Sequence, residues 1–511
     1  MSDNNYEDKE AKLVGVHVVA DSSVDSSDGE TSTLEWSPEE EKRLVRKVDF
    51  IVMPLLMLGF FVLQLDRGNI GNALTDFFFR DVGITQNQFN IGQPLLSVGI
   101  VLLEIPSNII LYRVGPSLWI GTQIIAWGFV ATFQAFQKGV GAFMATRLLL
   151  GMCEAGFIPA GLYTITRWYI QVETSKRFSW YFIGNMLAGA TSGLIAYGIL
   201  HLRGINGLAG WQWLFILEGI LTIAVGITFI SLFPQSTSHP VSLFGYRYFT
   251  EREAQILTAR VIRDDPSKRH AKQHVSRSEL KDALTNWRLI PHVITTICGL
   301  APASVIMSYG PSLVVSFGFG RLRSNAMMSI GNWCALVTNL AWGYAGDHWG
   351  RRGPLVFLGV TLFAAVAIGN RALIYSDDGN AKFALLMLVG AFAAPWHPLN
   401  GSWMSLNAKS AGERSITFAI LIMSANSSGI VGGQLFQQED APLYRTGWSV
   451  IIALVSLAVV SSAVSSIQYW VLNRRNAKNG VDYRYKLGPA PWRNTILPID
   501  SSLTEAHSSL S

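Results

Sequence analysis

An aspartate and an arginine side by side, Asp66-Arg67, followed by Gly68-Asn69-Ile70-Gly71-Asn72, close an apolar stretch that begins near Val48. A second acid and base, Arg147 and Glu154, lie seven residues apart with Gly151 between them, two helical turns that put both on one face. Ionisable side chains inside a membrane are costly and normally face a bundle interior or a water-filled path. Arginine keeps its proton and offers a planar fork matched to a carboxylate, whereas an acid can exchange a proton. The chemistry open to these residues is recognition of a charged solute or handling of a proton; for Arg147 and Glu154 a structural ion pair is the other reading.

Such groups need an apolar scaffold, and the composition provides one. Of 511 residues, 50% are apolar and only 15% charged, with a mean hydropathy of +0.29, against about a quarter charged in ordinary soluble domains. A window of about 20 residues places spans near 48–72, 90–112, 117–136, 142–165, 178–200 and 211–233, and again near 289–313, 325–345, 354–374, 382–405, 414–436 and 447–472. The expectation is an all-α polytopic membrane protein with twelve transmembrane helices in two six-helix halves, 48–233 and 289–472, each in contact with the lipid bilayer.

Residues 1–47 carry an acidic, serine-rich segment around Asp21–Glu30 and read as a disordered cytoplasmic tail. Ser37 is a candidate N-cap with Pro38 at the first helical position. Residues 234–288 form a polar, basic central loop in which Glu251–Leu257 suggests an amphipathic helix lying at the surface, and 473–511 form a second tail. Basic collars at Lys42, Arg43, Arg46 and Lys47 and at Arg474, Arg475 and Lys478, with the basic loop, put both termini in the cytoplasm by the positive-inside rule. The short loops are evenly balanced, with Arg80, Arg203 and Arg321 among the outer bases. The net charge of +5 is explained by these collars, so nucleic acid is not an expected partner. Cys153, Cys298 and Cys334 lack metal-site spacing, and no phosphate-binding GxxxxGK[ST] loop is present, so no cofactor and no ATP drive are expected.

The segment Gly343-Tyr344-Ala345-Gly346-Asp347-His348-Trp349-Gly350-Arg351-Arg352-Gly353-Pro354 joins the eighth and ninth spans. It resembles the loop signature of the major facilitator superfamily, in which an acid and bases form a cytoplasmic latch, here Asp347, Arg351 and Arg352. The equivalent in the first half is Glu104-Ile105-Pro106-Ser107-Asn108-Ile109-Ile110-Leu111-Tyr112-Arg113-Val114-Gly115-Pro116, which lacks the acid before the glycine. That form is similar to the anion:cation symporter family, particularly its fungal allantoate and nicotinate permease-like members. Glu104 either latches the inner face together with Arg113 or is an acid solvated near a helix end.

The resemblance runs from about Val45 to Asn476 and implies site roles. In bacterial sugar-acid symporters of that family, an adjacent acid and arginine on the first helix and an arginine and acid on the fourth perform proton coupling and carboxylate binding. Carried onto this chain, Asp66 and Glu154 become proton sites, Arg67 the substrate anchor, and Arg147 either pairs Glu154 or steers the anion. Asn69, Asn185, Tyr309, Asn400 and Trp403 are candidates to complete the cavity; His397, beside Pro398, is either a proton relay or the partner of a freed backbone carbonyl. The implied activity is proton-coupled uptake of a small organic anion at the plasma membrane by alternating access. Export of an organic acid or secondary metabolite and a non-transporting nutrient sensor are the rivals. An enzyme would rest on His348 near Asp347 alone, which is too little.

Overall fold

The computed structural model describes residues 35–264, 277–408 and 411–479. The parts of the expected tails before 35 and after 479, the segment 265–276 and the side chain of Asp347 lie outside the described residues. Among the described residues the chain is all-α, with two isolated β-bridges after the sixth span.

The first helix, Pro38–Ala73, starts where its cap demands: Ser37 Oγ accepts from the Glu40 backbone N–H at 3.1 Å, and Pro38 and three acids fill the first turn. At 1.5 Å per residue it is about 54 Å long, so one continuous helix carries both the basic collar and the membrane span. The second, Gln86–Val114, opens with a capping box in which Thr85 and Gln88 satisfy each other's backbone N–H. Among the described residues, nine helical stretches are long and apolar enough to cross a membrane. Pro116–Phe133, Arg323–Trp349 and Ala411–Gly432, shorter or more polar, occupy the third, eighth and eleventh positions of the expected twelve.

Two spans are broken, each for a local reason. The fourth runs as Gly139–Glu154, then restarts as Phe157–Trp168 after Gly156, whose φ of 81° suits a residue without a Cβ. The ladder groups released there are both taken up: Gln123 Nε2 donates to the Ala155 carbonyl (2.6 Å), and Glu104 Oε2 accepts from Gly156 N–H (3.1 Å). The tenth runs as Gly379–Phe392 and His397–Leu406, separated at Pro395. The carbonyl freed at Ala393 accepts from the Trp396 indole (3.0 Å), while His397 Nδ1 is buried without a partner, so His397 does not satisfy the break through that atom.

The helix Glu251–Asp264 does not simply lie on a surface. Ile256, Leu257 and Val261 are buried, and Arg260, itself buried, donates to Glu41 (3.0 Å) and Glu173 (2.6 Å), tying it to the starts of the first and fifth spans. Lys47 of the collar pairs with Glu253 at 2.8 Å.

On the opposite, far side the two halves are sealed. Buried Asp76 receives Arg203 (2.8 Å), the Trp211 backbone N–H (3.0 Å) and, from the second half, Arg321 (3.2 Å), whose guanidinium lies 4.0 Å from the Phe77 ring centre. Arg203 also binds Asp81 at 2.8 Å. Three of the far-side short-loop bases, Arg80, Arg203 and Arg321, are thereby accounted for as partners of Asp76 and Asp81. Further in, Tyr309 donates to Asn90 (2.5 Å), and Asn90 and Gln86 both donate to the Phe436 carbonyl (2.7 and 3.0 Å). Asn325 donates to Thr75 (2.8 Å) and Asn332 to the Gly189 carbonyl (2.5 Å). Among the described residues no ion pair joins the halves on the terminal side, where Arg113 and Arg351 are exposed. The hydrogen bonds and ion pairs described between the halves lie at the far side and toward the middle of the bundle.

Candidate functional site

Asp66 and Arg67 are neighbours in sequence but not in space. Consecutive helical residues point about 100° apart, so the two side chains meet different helices. Arg67 turns to the fourth span, where its Nε donates to Glu154 Oε2 at 2.6 Å. Its side chain is 18% exposed, and its two terminal amino groups have no partner among the described residues. Glu154, the last residue before the helix break, has a fully buried side chain whose second oxygen, Oε1, is unpartnered.

Asp66 turns instead to the sixth span and accepts at Oδ2 from Thr222 Oγ1 (3.0 Å), leaving Oδ1 buried without a partner. Asn69, three residues on and on the same stripe, is buried with both amide atoms unpartnered. The candidate residues of the first span are thus divided between an anion-facing arginine and an interior acid.

Arg147 does not pair with Glu154. Side chains on a helix lean toward its N-terminus, and Arg147 reaches back to Gln134 Oε1 at the end of the third span, with its guanidinium 5.7 Å from the Phe143 ring centre and its Nε buried without a partner. The shared helix face holds, but the ion-pair partner of Glu154 is Arg67. In this conformation the Glu104 carboxylate accepts from Gly156 N–H at the helix break. Arg352 is half-buried, and Arg113 and Arg351 are exposed on the terminal side.

Three further candidates make buried contacts with their neighbours. Tyr309 belongs to the far-side seal, edge-on to Phe89 and tilted against Phe436 and Tyr444. Asn400 and Trp403 share a face as their spacing implies, but that face is buried inside the second half. His292 Nδ1 meets Asn400 Oδ1 at 2.7 Å, Asn400 Nδ2 donates to Thr296 (3.0 Å), and Trp403 packs edge-on against His292 with Tyr469 beside both. Asn400→Ala is expected to lower stability by about 2 kcal/mol, because it strands buried polar partners. A reduced unfolding temperature with an unchanged KM for transport is the signature of that packing role. Asn185 is half-buried one turn from Gly189, on the face of the fifth span that meets the other half.

Residues not singled out from the sequence complete the arrangement: Glu218, Thr222, Gln134, Gln123 and Trp127. Glu218 is the sole charged residue of the helix Gly210–Leu232, and the same intramembrane-acid rule that singles out Asp66 would have found it. The others are polar groups of common type whose relevance comes only from what they touch.

Two helical halves joined at the far side, with a partly exposed arginine held against a buried acid within the first half, fit a membrane transporter. The chain belongs to the Major Facilitator Superfamily, whose family model matches residues 56–433. An uncharacterized transporter of Saccharomyces cerevisiae is 30% identical over 445 residues, covering 86% of this chain and 82% of the relative. The MFS-type transporter cnsO of Penicillium expansum is 26% identical, with 87% and 86% covered, and the major facilitator-type transporter hxnP of Emericella nidulans is 25% identical, with 86% and 88% covered. Among solved structures, a D-xylose-proton symporter matches with a TM-score of 0.62 at 14% identity, covering 81% of this chain and 97% of its own. A bacterial homologue of the human lysosomal transporter Spinster, inward-facing and occupied, matches equally at 0.62 and 14%, covering 81% and 96%. At that identity both report the fold.

Proposed function

We propose that this transporter takes up a small organic anion together with protons, as the resemblance to the anion:cation symporters implies. The substrate class is a carboxylate such as a ureide, a pyridine carboxylate or a vitamin, and the site of action is the plasma membrane with both termini cytoplasmic.

The observation that carries the reading is the Arg67–Glu154 contact at the break of the fourth span. Arg67 is held by one nitrogen and keeps the rest of its fork available for a carboxylate. Glu154 has a buried, unpartnered oxygen on which a proton can settle. Protonating it removes the negative charge that competes with the substrate for Arg67, so proton and anion favour each other's binding. Release of the proton to the cytoplasm restores the ion pair and expels the anion. Asp66 is the second proton site, and Arg147, fixed by Gln134, contributes positive potential at the anion's approach. Asn185 is positioned at the boundary of the halves. Arg113, Arg351 and Arg352, with Asp347, serve as the terminal-side latch when that side closes.

The test is uptake of a labelled panel of small carboxylates by cells displaying the protein at their surface, at acidic and at neutral external pH, beside Glu154→Gln. One acid should accumulate faster at acidic pH, and Glu154→Gln should remove the pH response. Surface-localised protein without acid-stimulated uptake, but with efflux from preloaded vesicles, would replace this reading with export.

A further inference from the structure

Glu218 has no role in the reading above, yet its environment is uncompensated. It is 2% exposed, both of its carboxyl oxygens are buried without a hydrogen-bond partner, and among the described residues no base forms an ion pair with it. Thr222, one turn along the same helix, donates to Asp66 Oδ2 (3.0 Å). The first and sixth spans run antiparallel, so stepping back one turn from Thr222 to Glu218 corresponds to stepping forward from Asp66 to Asn69, whose amide lies against Glu218 without closing a hydrogen bond. The Trp127 indole, from the third span, is a further buried and unpartnered polar group near Asp66. Behind Glu218 the third and sixth spans are in backbone contact, since a Cβ on Gly219 would stand 2.6 Å from the Thr132 nitrogen.

The charged groups around this pocket are few. The first span offers Asp66, with Arg67 turned away; the fourth offers Glu154, paired with Arg67, and Arg147, held by Gln134. The third span has no charged residue, the fifth carries Glu173, Lys176 and Arg177 at its terminal-side end, and Asp76 with its arginines sits at the far end of the sixth. Two ionised carboxyls here would repel each other, and each would bear the desolvation cost of an uncompensated buried charge.

We propose that Asp66 and Glu218, with Asn69 and Thr222, form a proton-binding carboxyl pair distinct from the Arg67–Glu154 anion site. At least one proton is shared between the two acids in the conformation described, and it is exchanged when the first and sixth spans shift. The pair's part in transport rests on the coupled reading given above; its protonation does not.

The experiment is infrared difference spectroscopy of the purified full-length protein in liposomes, exchanged between acidic and alkaline buffers in light and heavy water. The wild type should show a protonated-carboxyl C=O stretch that shifts down in heavy water. Glu218→Gln should abolish or displace that band, Asp66→Asn should displace what remains, and Glu154→Gln should leave it in place. Glu218→Asp, which keeps the carboxyl on a shorter arm, should retain the band at a shifted frequency and serves if Glu218→Gln does not fold. A band indifferent to changes at both 218 and 66 overturns the proposal. Because the spectra need no substrate, failure of the uptake experiment would leave this result standing.

Discussion

On the proposed anion-uptake reading, Arg67→Ala is expected to lower kcat/KM for the carboxylate taken up by about two orders of magnitude or more. Two losses combine. The anion loses its charge-assisted anchor, and Glu154 is left as a buried carboxylate without its base at 2.6 Å. Removing one partner of a buried ion pair costs about 3–5 kcal/mol, and each 1.4 kcal/mol is tenfold. Arg67→Lys should recover only part of the activity, because a point charge does not reproduce the fork. Combining Arg67→Ala with Glu154→Gln separates the two losses. The double variant should regain thermal stability, since no unpaired charge remains, yet stay inactive, since nothing holds the substrate. Recovery of uptake in the double variant would show that Arg67 serves only to neutralise Glu154. Unfolding temperature and concentration-dependent uptake are the two measurements.

Gly71→Val is expected to abolish uptake without unfolding the protein. Even the first added carbon at Gly71 would stand 2.5 Å from the Met307 carbonyl oxygen and 3.0 Å from that of Ser308, both backbone atoms of the seventh span in the opposite half. Backbone atoms of a packed helix do not swing aside as a side-chain tip would, so the halves must separate at the far side. A transporter that works by alternating access has a conformation in which they do, and the variant should rest there. Asn90, at the seal, reports on it. With Cys153, Cys298 and Cys334 replaced by serine, Asn90→Cys should react slowly with a membrane-impermeant maleimide added on the far side, and at least tenfold faster once Gly71→Val is present. Equal labelling with intact uptake would show that this close approach is not required for closure. Unequal labelling with intact uptake would separate the seal from the transport cycle.

Much of the fold was legible from the chain because a membrane leaves few solutions. Backbone groups in hydrocarbon must be satisfied internally, so each apolar run of sufficient length reads as a helix. Ser37 and Pro38 mark the start of the first helix in the expected way. The broken fourth span was not legible as a break, although Gly156 and Pro159 stand there, because a glycine in an apolar run is equally at home in a packed, unbroken helix. The docking of Glu251–Asp264 was half legible: its amphipathic pattern says that one face is covered, while the covering surface comes from Glu41 and Glu173, more than 80 residues away in each case.

The sequence by itself determined the class of protein, the number and order of its spans, and which residue types capable of anion and proton chemistry lie within them. Helical periodicity also determined which residues share a stripe, as for Asn400 with Trp403 and Asp66 with Asn69. The tertiary structure alone decided what each stripe meets: Arg67 rather than Arg147 beside Glu154, Glu218 beside Asn69, Tyr309 in the far-side seal, and Asn400 against His292. The reason is geometric. A helix of 3.6 residues per turn sets the angle between side chains from within the chain, but the neighbour at that angle is another helix, placed by the packing of the whole bundle.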